Sequence, residues 1–195
     1  MGNFNHDEHQ LWKSSVSGDG AAFTSLFDRH RDRVFRHAYR LAGHRQNAED
    51  ITATAFLELW RLRHRVRLVD GSVLPWLLVA TTNLTRNSNR AIRRHQRLIQ
   101  SLPRMSDAPD ASEEFLVYSP QDTLDKELAD ALCSLNRQDQ LLISLVVFEE
   151  YPIATAAEVL EITPSAAKSR MHRARQRMKL AIAHTQVPAL EGKTQ

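Results

Sequence analysis

Between Ser165 and Lys179 the chain reads SAAKSRMHRARQRMK, which holds six Lys or Arg residues, and no Asp or Glu occurs from Ile162 to Leu190. Ammonium and guanidinium groups pair with phosphate oxygens, and Ser, His and Arg side chains can also hydrogen-bond base edges. At a helical period Ala167, Met171, Ala174 and Met178 share one face. Lys168, Ser169, His172, Arg173 and Gln176 then point the other way, where a major groove would receive them. A solvated amphipathic face is the plainer alternative for any charge run. A second set of residues favours the DNA reading. Asn83, Asn87 and Arg90 lie at steps of four and three, Arg94 and Arg97 extend the same face, and no acid occurs from Gly71 to Ser106. Amides and guanidinium groups together can read base edges while an Arg series follows a backbone.

Both sets need helices to present them, and the apolar spacing is helical nearly throughout. Phe23, Leu26, Phe27, His30, Val34, Ala38 and Leu41 follow steps of three and four, with Gly43 as a stop. Asn47 followed by Asp50 resembles a helix cap, opening a helix with Ile51, Ala55, Leu59 and Leu62 on one face. A break at residues 69–74 precedes Pro75, which suits the first turn of the next helix. Residues 101–121 carry three Pro and no helical period, the mark of a linker. Beyond it, Leu124, Leu128, Leu132 and Leu135 mark a helix, Asn136 introduces another, and residues 154–160 form a short third. Thr163 caps the basic helix, with Pro164 at its first position, giving a helix-turn-helix pattern. The expected fold is all-α: two helical domains joined by a flexible linker. The expected boundaries are an N-terminal extension at 1–19, a first domain at 20–100, the linker at 101–121, a second domain at 122–184 and a tail at 185–195.

Composition narrows the class. With 42% hydrophobic and 25% charged residues, the chain has the balance of a globular protein rather than a disordered one. The net charge of +3 says little, because two basic blocks flank an acidic middle at residues 107–127. Cys133, the one cysteine, can form no internal disulfide and is expected to be a buried structural thiol. Acids near the N-terminus do not suit a signal peptide, and no apolar run is long enough to span a bilayer, so a cytoplasmic protein without membrane insertion is expected. His6 and His9, with Asp7 and Glu8, could be imagined as a metal site, but a frayed, solvated terminus is the simpler reading. Trp60 and Trp76 could stack on bases; their places at the edges of apolar faces favour core packing. With no phosphate loop, paired metal motif or nucleophile, neither a cofactor, a metal nor an enzyme is expected.

The segments AEDITATAFLELWR, PWLLVATTNLTRNSNRAIRRHQR and LNRQDQLLISLVVFEEYPIATAAEVLEITPSAAKSRMHRARQRM occur in this order. As a set they resemble the bacterial RNA polymerase sigma factors of the extracytoplasmic-function group of the sigma-70 family. The resemblance covers about residues 20–98 and 120–182 and implies two helical domains, sigma-2 and sigma-4. It implies that Asp50, Glu58 and Arg61 dock on core RNA polymerase. It implies that the loop of residues 67–72, with Arg67 and Ser72, and the helix with Asn83, Asn87, Arg90 and Arg94 read the −10 promoter element and hold a flipped-out base. Lys168, Ser169, Arg170, His172 and Arg173 match the helix that reads the −35 element. Promoter DNA, core polymerase and an anti-sigma factor are the implied partners. Ala53 and Thr54 depart from the family's Gln and Glu, and Ser165, Ala166 and Ala167 from its Gly-Thr-Val; these changes point to altered docking or promoter preference. The rival from another class is a helix-turn-helix regulator that binds duplex DNA without polymerase.

Overall fold

The computed structural model describes residues 3–101, 128, 131, 132 and 134–185. The expected linker beyond Ser101, the tail beyond Thr185 and Cys133 lie outside the described residues. Among the described residues every regular element is helical, and the only β-type pairing is an isolated bridge between Val69 and Ser72. None of these helices is long and apolar enough to cross a membrane.

The first helix corrects the expectation of a frayed terminus. Helix α1 spans Asn3–Val16. Trp12 is 6% exposed within the core and Leu11 and Val16 pack against it, while His9 stays on the outside. Fully burying a large apolar side chain stabilises a fold by roughly 2–3 kcal/mol, enough to hold a short helix that would fray alone. Helix α2, Gly20–Ala42, starts where the Asp19 carboxylate accepts from the N–H groups of Ala21 (2.9 Å) and Ala22 (3.2 Å). It stops at Gly43, whose φ of 71° lets its N–H reach the Tyr39 carbonyl. Helix α3 covers Arg45–Leu62 and begins two residues before the cap expected at Asn47. The left-handed turn at Gly43 and the extended His44 already set the entry, so Asn47 falls inside the helix.

Helix α4, Leu74–Ser101, has Pro75 in its first turn, as the sequence suggests. Helices α1 to α4 close around Leu26, Val34, Leu41, Phe56, Leu59, Leu77 and Leu78. Trp60 joins this packing edge-on to Phe23 at 5.0 Å, with the Arg63 guanidinium over its ring, and Trp76 is half-buried against the same core. Both indoles thus share in core packing, as their places at the edges of apolar faces suggest.

In the second unit the Asn136 side chain accepts from the Asp139 N–H at 2.9 Å and opens α5, Arg137–Ile143. A π-helical turn follows at Ser144–Phe148. Helix α6 covers Ile153–Val159, and Thr163 accepts from the Ala166 N–H at 3.2 Å to start α7, Pro164–Thr185. Leu142, Ile143, Leu145, Ala156, Ala157, Ala167, Met171 and Ala174 form the centre of this unit.

Candidate nucleic-acid interface

Helix α7 divides as its spacing requires. Ala167, Met171 and Ala174 are buried and Met178 half-buried, which leaves Lys168, Ser169, His172 and Arg173 exposed together on the outer face. Arg170 differs from its neighbours. It is half-buried, and its guanidinium lies 3.4 Å from Oδ1 of Asp139, whose other oxygen takes Arg177 at 3.1 Å. Asp139 is almost wholly buried, so these two cations tie the basic helix to α5. Four of the five residues expected to face DNA are thus presented outward, and the fifth serves the fold as well.

On α4, Asn87, Arg90, Arg94 and Arg97 line one shallow depression of about 490 Å³. A concave surface edged by three guanidinium groups and an amide suits a nucleic-acid strand. Asn83, four residues before Asn87 on the same helix and outside this lining, is half-buried, and its Oδ1 accepts from Arg137 Nε of α5 at 2.7 Å. Ahead of this helix, residues 69–72 make a tight reverse turn in which Val69 and Ser72 exchange both backbone bonds at 3.1 Å. Asp70 and Gly71 have φ of 51° and 74°, the left-handed values such a turn demands at both central positions. The Asp-Gly pair is the sequence signal for it. Arg67 projects into solvent before the turn, whereas the Ser72 hydroxyl accepts from the Leu74 N–H at 3.1 Å and donates to Glu8 at 2.7 Å.

On α3, Asp50 and Arg61 are exposed and Glu58 half-buried. Leu57 lies between them, 69% exposed. A large apolar side chain in the open, flanked by charges, is the composition of an interface. Spacing alone does not single it out, because it lies off the apolar face of its helix.

The structure also joins the two units through a cluster that spacing could not show. The π-helical turn directs the Glu149 N–H to the Ser144 carbonyl and turns the Glu149 side chain inward, where it is 5% exposed. Arg33 Nε donates to Oε2 at 2.6 Å, Arg40 Nη1 to Oε1 at 3.2 Å, and His37 Nδ1 lies 3.1 Å from Oε1. Burial pushes this carboxyl up, but the hydrogen bonds and charges of His37 and Arg33 more than offset it and hold it below the usual range. The other His37 nitrogen pairs with Thr82 on α4 at 2.9 Å. Arg86 donates to the Leu135 carbonyl and the Gln140 side chain across the same boundary.

Comparison with known proteins agrees with this division. The family profile Sigma-70 region 2 matches residues 26–101, and Sigma-70, region 4 matches residues 125–178. The ECF RNA polymerase sigma factor SigE of Mycolicibacterium smegmatis is 31% identical over 84% of this chain, and the chain spans 64% of SigE. In fold, the chain is similar to CnrH, solved in complex with the cytosolic domain of CnrY, with a TM-score of 0.62 at 20% identity over 91% of this chain and 98% of CnrH. It is also similar to the sigma factor RpoE of Bartonella quintana, solved with the anti-sigma factor NepR, with a TM-score of 0.52 at 18% identity over 83% of this chain and 96% of RpoE. The first of these regions carries the α4 depression and the second the exposed face of α7: the chain belongs to the sigma-70 family, in its extracytoplasmic-function group.

Proposed function

We propose that this chain is a sigma factor that binds core RNA polymerase, directs it to specific promoters and helps open the DNA. The observation that carries this reading is the pair of separate DNA-facing surfaces. An exposed Lys, Ser, His and Arg face on α7 suits a duplex major groove, and a concave Asn and Arg face on α4 suits a separated strand. Lys168, Ser169, His172 and Arg173 would read the −35 element, with Arg170 contributing from the edge. Arg67, Asn83, Asn87, Arg90 and Arg94 would engage the −10 element, with Ser72 fixing the loop between Arg67 and α4. Asp50, Glu58 and Arg61, with Leu57 at their centre, would dock on core polymerase.

On this reading the protein works by binding in the cytoplasm rather than by catalysing a reaction of its own. An anti-sigma factor is a further proposed partner, by analogy with the complex of RpoE and NepR. The test is transcription from genomic DNA by core polymerase with and without the full chain, with the start sites mapped. New starts that share −10 and −35 sequences and depend on the chain are expected. Equal initiation without it would sink the reading, and tight sequence-specific duplex binding by the free protein would favour a stand-alone regulator.

A further inference from the structure

Glu8 lies near the start of the chain, on α1, yet it is 4% exposed. A single oxygen, Oε1, receives the Ser72 hydroxyl at 2.7 Å and the Val73 N–H at 2.9 Å, and lies 2.9 Å from His30 Nε2 on α2. Arg29 stands 3.8 Å from the other oxygen and pairs with the neighbouring Asp7. Val73 is the residue before α4, so its N–H belongs to the group that a helix start leaves without an internal partner. An anionic oxygen there suits both the free N–H and the positive end of the helix dipole. Ser72 passes the connection on, since its oxygen accepts from the Leu74 N–H. One carboxylate from a different helix therefore fixes the end of the 69–72 turn and the first turn of α4. Arg67 lies just before that turn, and Asn83 is carried rigidly on the helix.

We propose that Glu8 is a positioning residue for promoter opening: through Ser72 and Val73 it sets the geometry in which the loop and α4 present Arg67 and Asn83 to the −10 element. The inference rests on the proposed −10 assignment of those two residues. It gives the N-terminal helix a part in promoter selection through the Glu8 contacts with Ser72 and Val73.

The experiment uses the full chain with core polymerase, a promoter whose start site depends on the chain, and single-base variants of its −10 element. Glu8→Ala removes a buried, charge-assisted hydrogen-bond acceptor and should slow open-complex formation about tenfold. The preference for the native −10 sequence over its variants should fall as well, with −35 duplex binding and association with core polymerase unchanged. Glu8→Gln keeps an oxygen that can accept from Ser72 and Val73, so it should recover much of the deficit. Ser72→Ala combined with Glu8→Ala should add little to Glu8→Ala alone, because the Glu8–Ser72 contact is already lost there. Asn83→Ala and Arg67→Ala, read in the same assay, report on the −10 assignment. If they impair strand capture while Glu8→Ala keeps full −10 preference, the positioning role is wrong and the assignment stands. If both also leave opening untouched, the assignment falls and the role falls with it. Should circular dichroism show Glu8→Ala unfolded, Glu8→Gln and Ser72→Ala decide. Reduced −10 preference in Ser72→Ala, with a milder and non-additive effect of Glu8→Gln, supports the role, and unchanged preference in both overturns it.

Discussion

At the scale of single residues, exposure separates side chains that the sequence presents as alike. Lys168, Arg170 and Arg173 all belong to one basic run, and two of them are open to solvent while Arg170 leans on buried Asp139. Arg173→Ala and Lys168→Ala should therefore weaken binding to −35 duplex with little change in stability. Removing a base contact costs about 1–3 kcal/mol, and removing a phosphate contact also lowers the salt dependence of binding. Arg170→Ala should show a second effect, a lower denaturation midpoint, because Asp139 loses one of the two cationic partners it has among the described residues. Titration of fluorescent duplex and urea unfolding on the same three variants separate the two roles. A midpoint for Arg170→Ala equal to that of Arg173→Ala contradicts a structural share for Arg170.

At the scale of elements, the helices follow from the spacing of apolar residues, and their ends follow from caps. Asp19, Asn136 and Thr163 each accept backbone N–H groups at a helix start, and the latter two stand where the sequence alone places them. The start of α3 departs from the sequence expectation because Asn47 followed by Asp50 has the form of a cap, while the conformation of Gly43 and His44 has already begun the helix. Helix α1 escapes the sequence for a different reason. Its value lies in what it packs on, and a short amphipathic segment at a chain end carries no local sign of a partner. Trp12→Ala should lower unfolding free energy by about 3–5 kcal/mol, as for other buried aromatic truncations. Thermal unfolding followed by circular dichroism checks it; a change below about 1 kcal/mol contradicts the packing of α1.

At the scale of the whole molecule, Glu149 joins the second unit to α2 through Arg33, His37 and Arg40. Its carboxyl titrates below the usual value of 4.5, so the folded state favours the charged form. The sign of the pH effect follows from linkage. The contribution is fully present above the unfolded value and is lost as pH falls through the lower folded one. Fluorophores placed on α2 and α7 should thus show the two units loosening only as acid is added below about pH 4.5. Glu149→Gln, which cannot ionise, should loosen the junction at neutral pH and abolish that acid step. Unchanged energy transfer in the variant contradicts a role for this cluster in holding the units together. The same junction bears on the proposed −10 surface: Arg137 holds the Asn83 amide oxygen, and under that proposal a base would share or displace the guanidinium. Arg137→Ala should raise the affinity of the free chain for single-stranded −10 DNA, read by fluorescence anisotropy.

The all-helical class, the two helical units, the inward face of α7 and most of its outward polar residues are legible in the order of residues alone. These are local properties, since a period of 3.6 residues and a capping side chain are written within a dozen neighbours. Tertiary structure decided which charges are spent on the protein itself. Glu8 and Ser72 are 64 residues apart and Glu149 and Arg33 are 116 apart, so no spacing rule could pair them. A carboxylate near a chain end reads as solvated until the fold surrounds it. The basic run 165–179 reads as uniform until Asp139 pairs with half-buried Arg170 and with Arg177 and leaves Lys168, Ser169, His172 and Arg173 on the open face proposed to meet DNA.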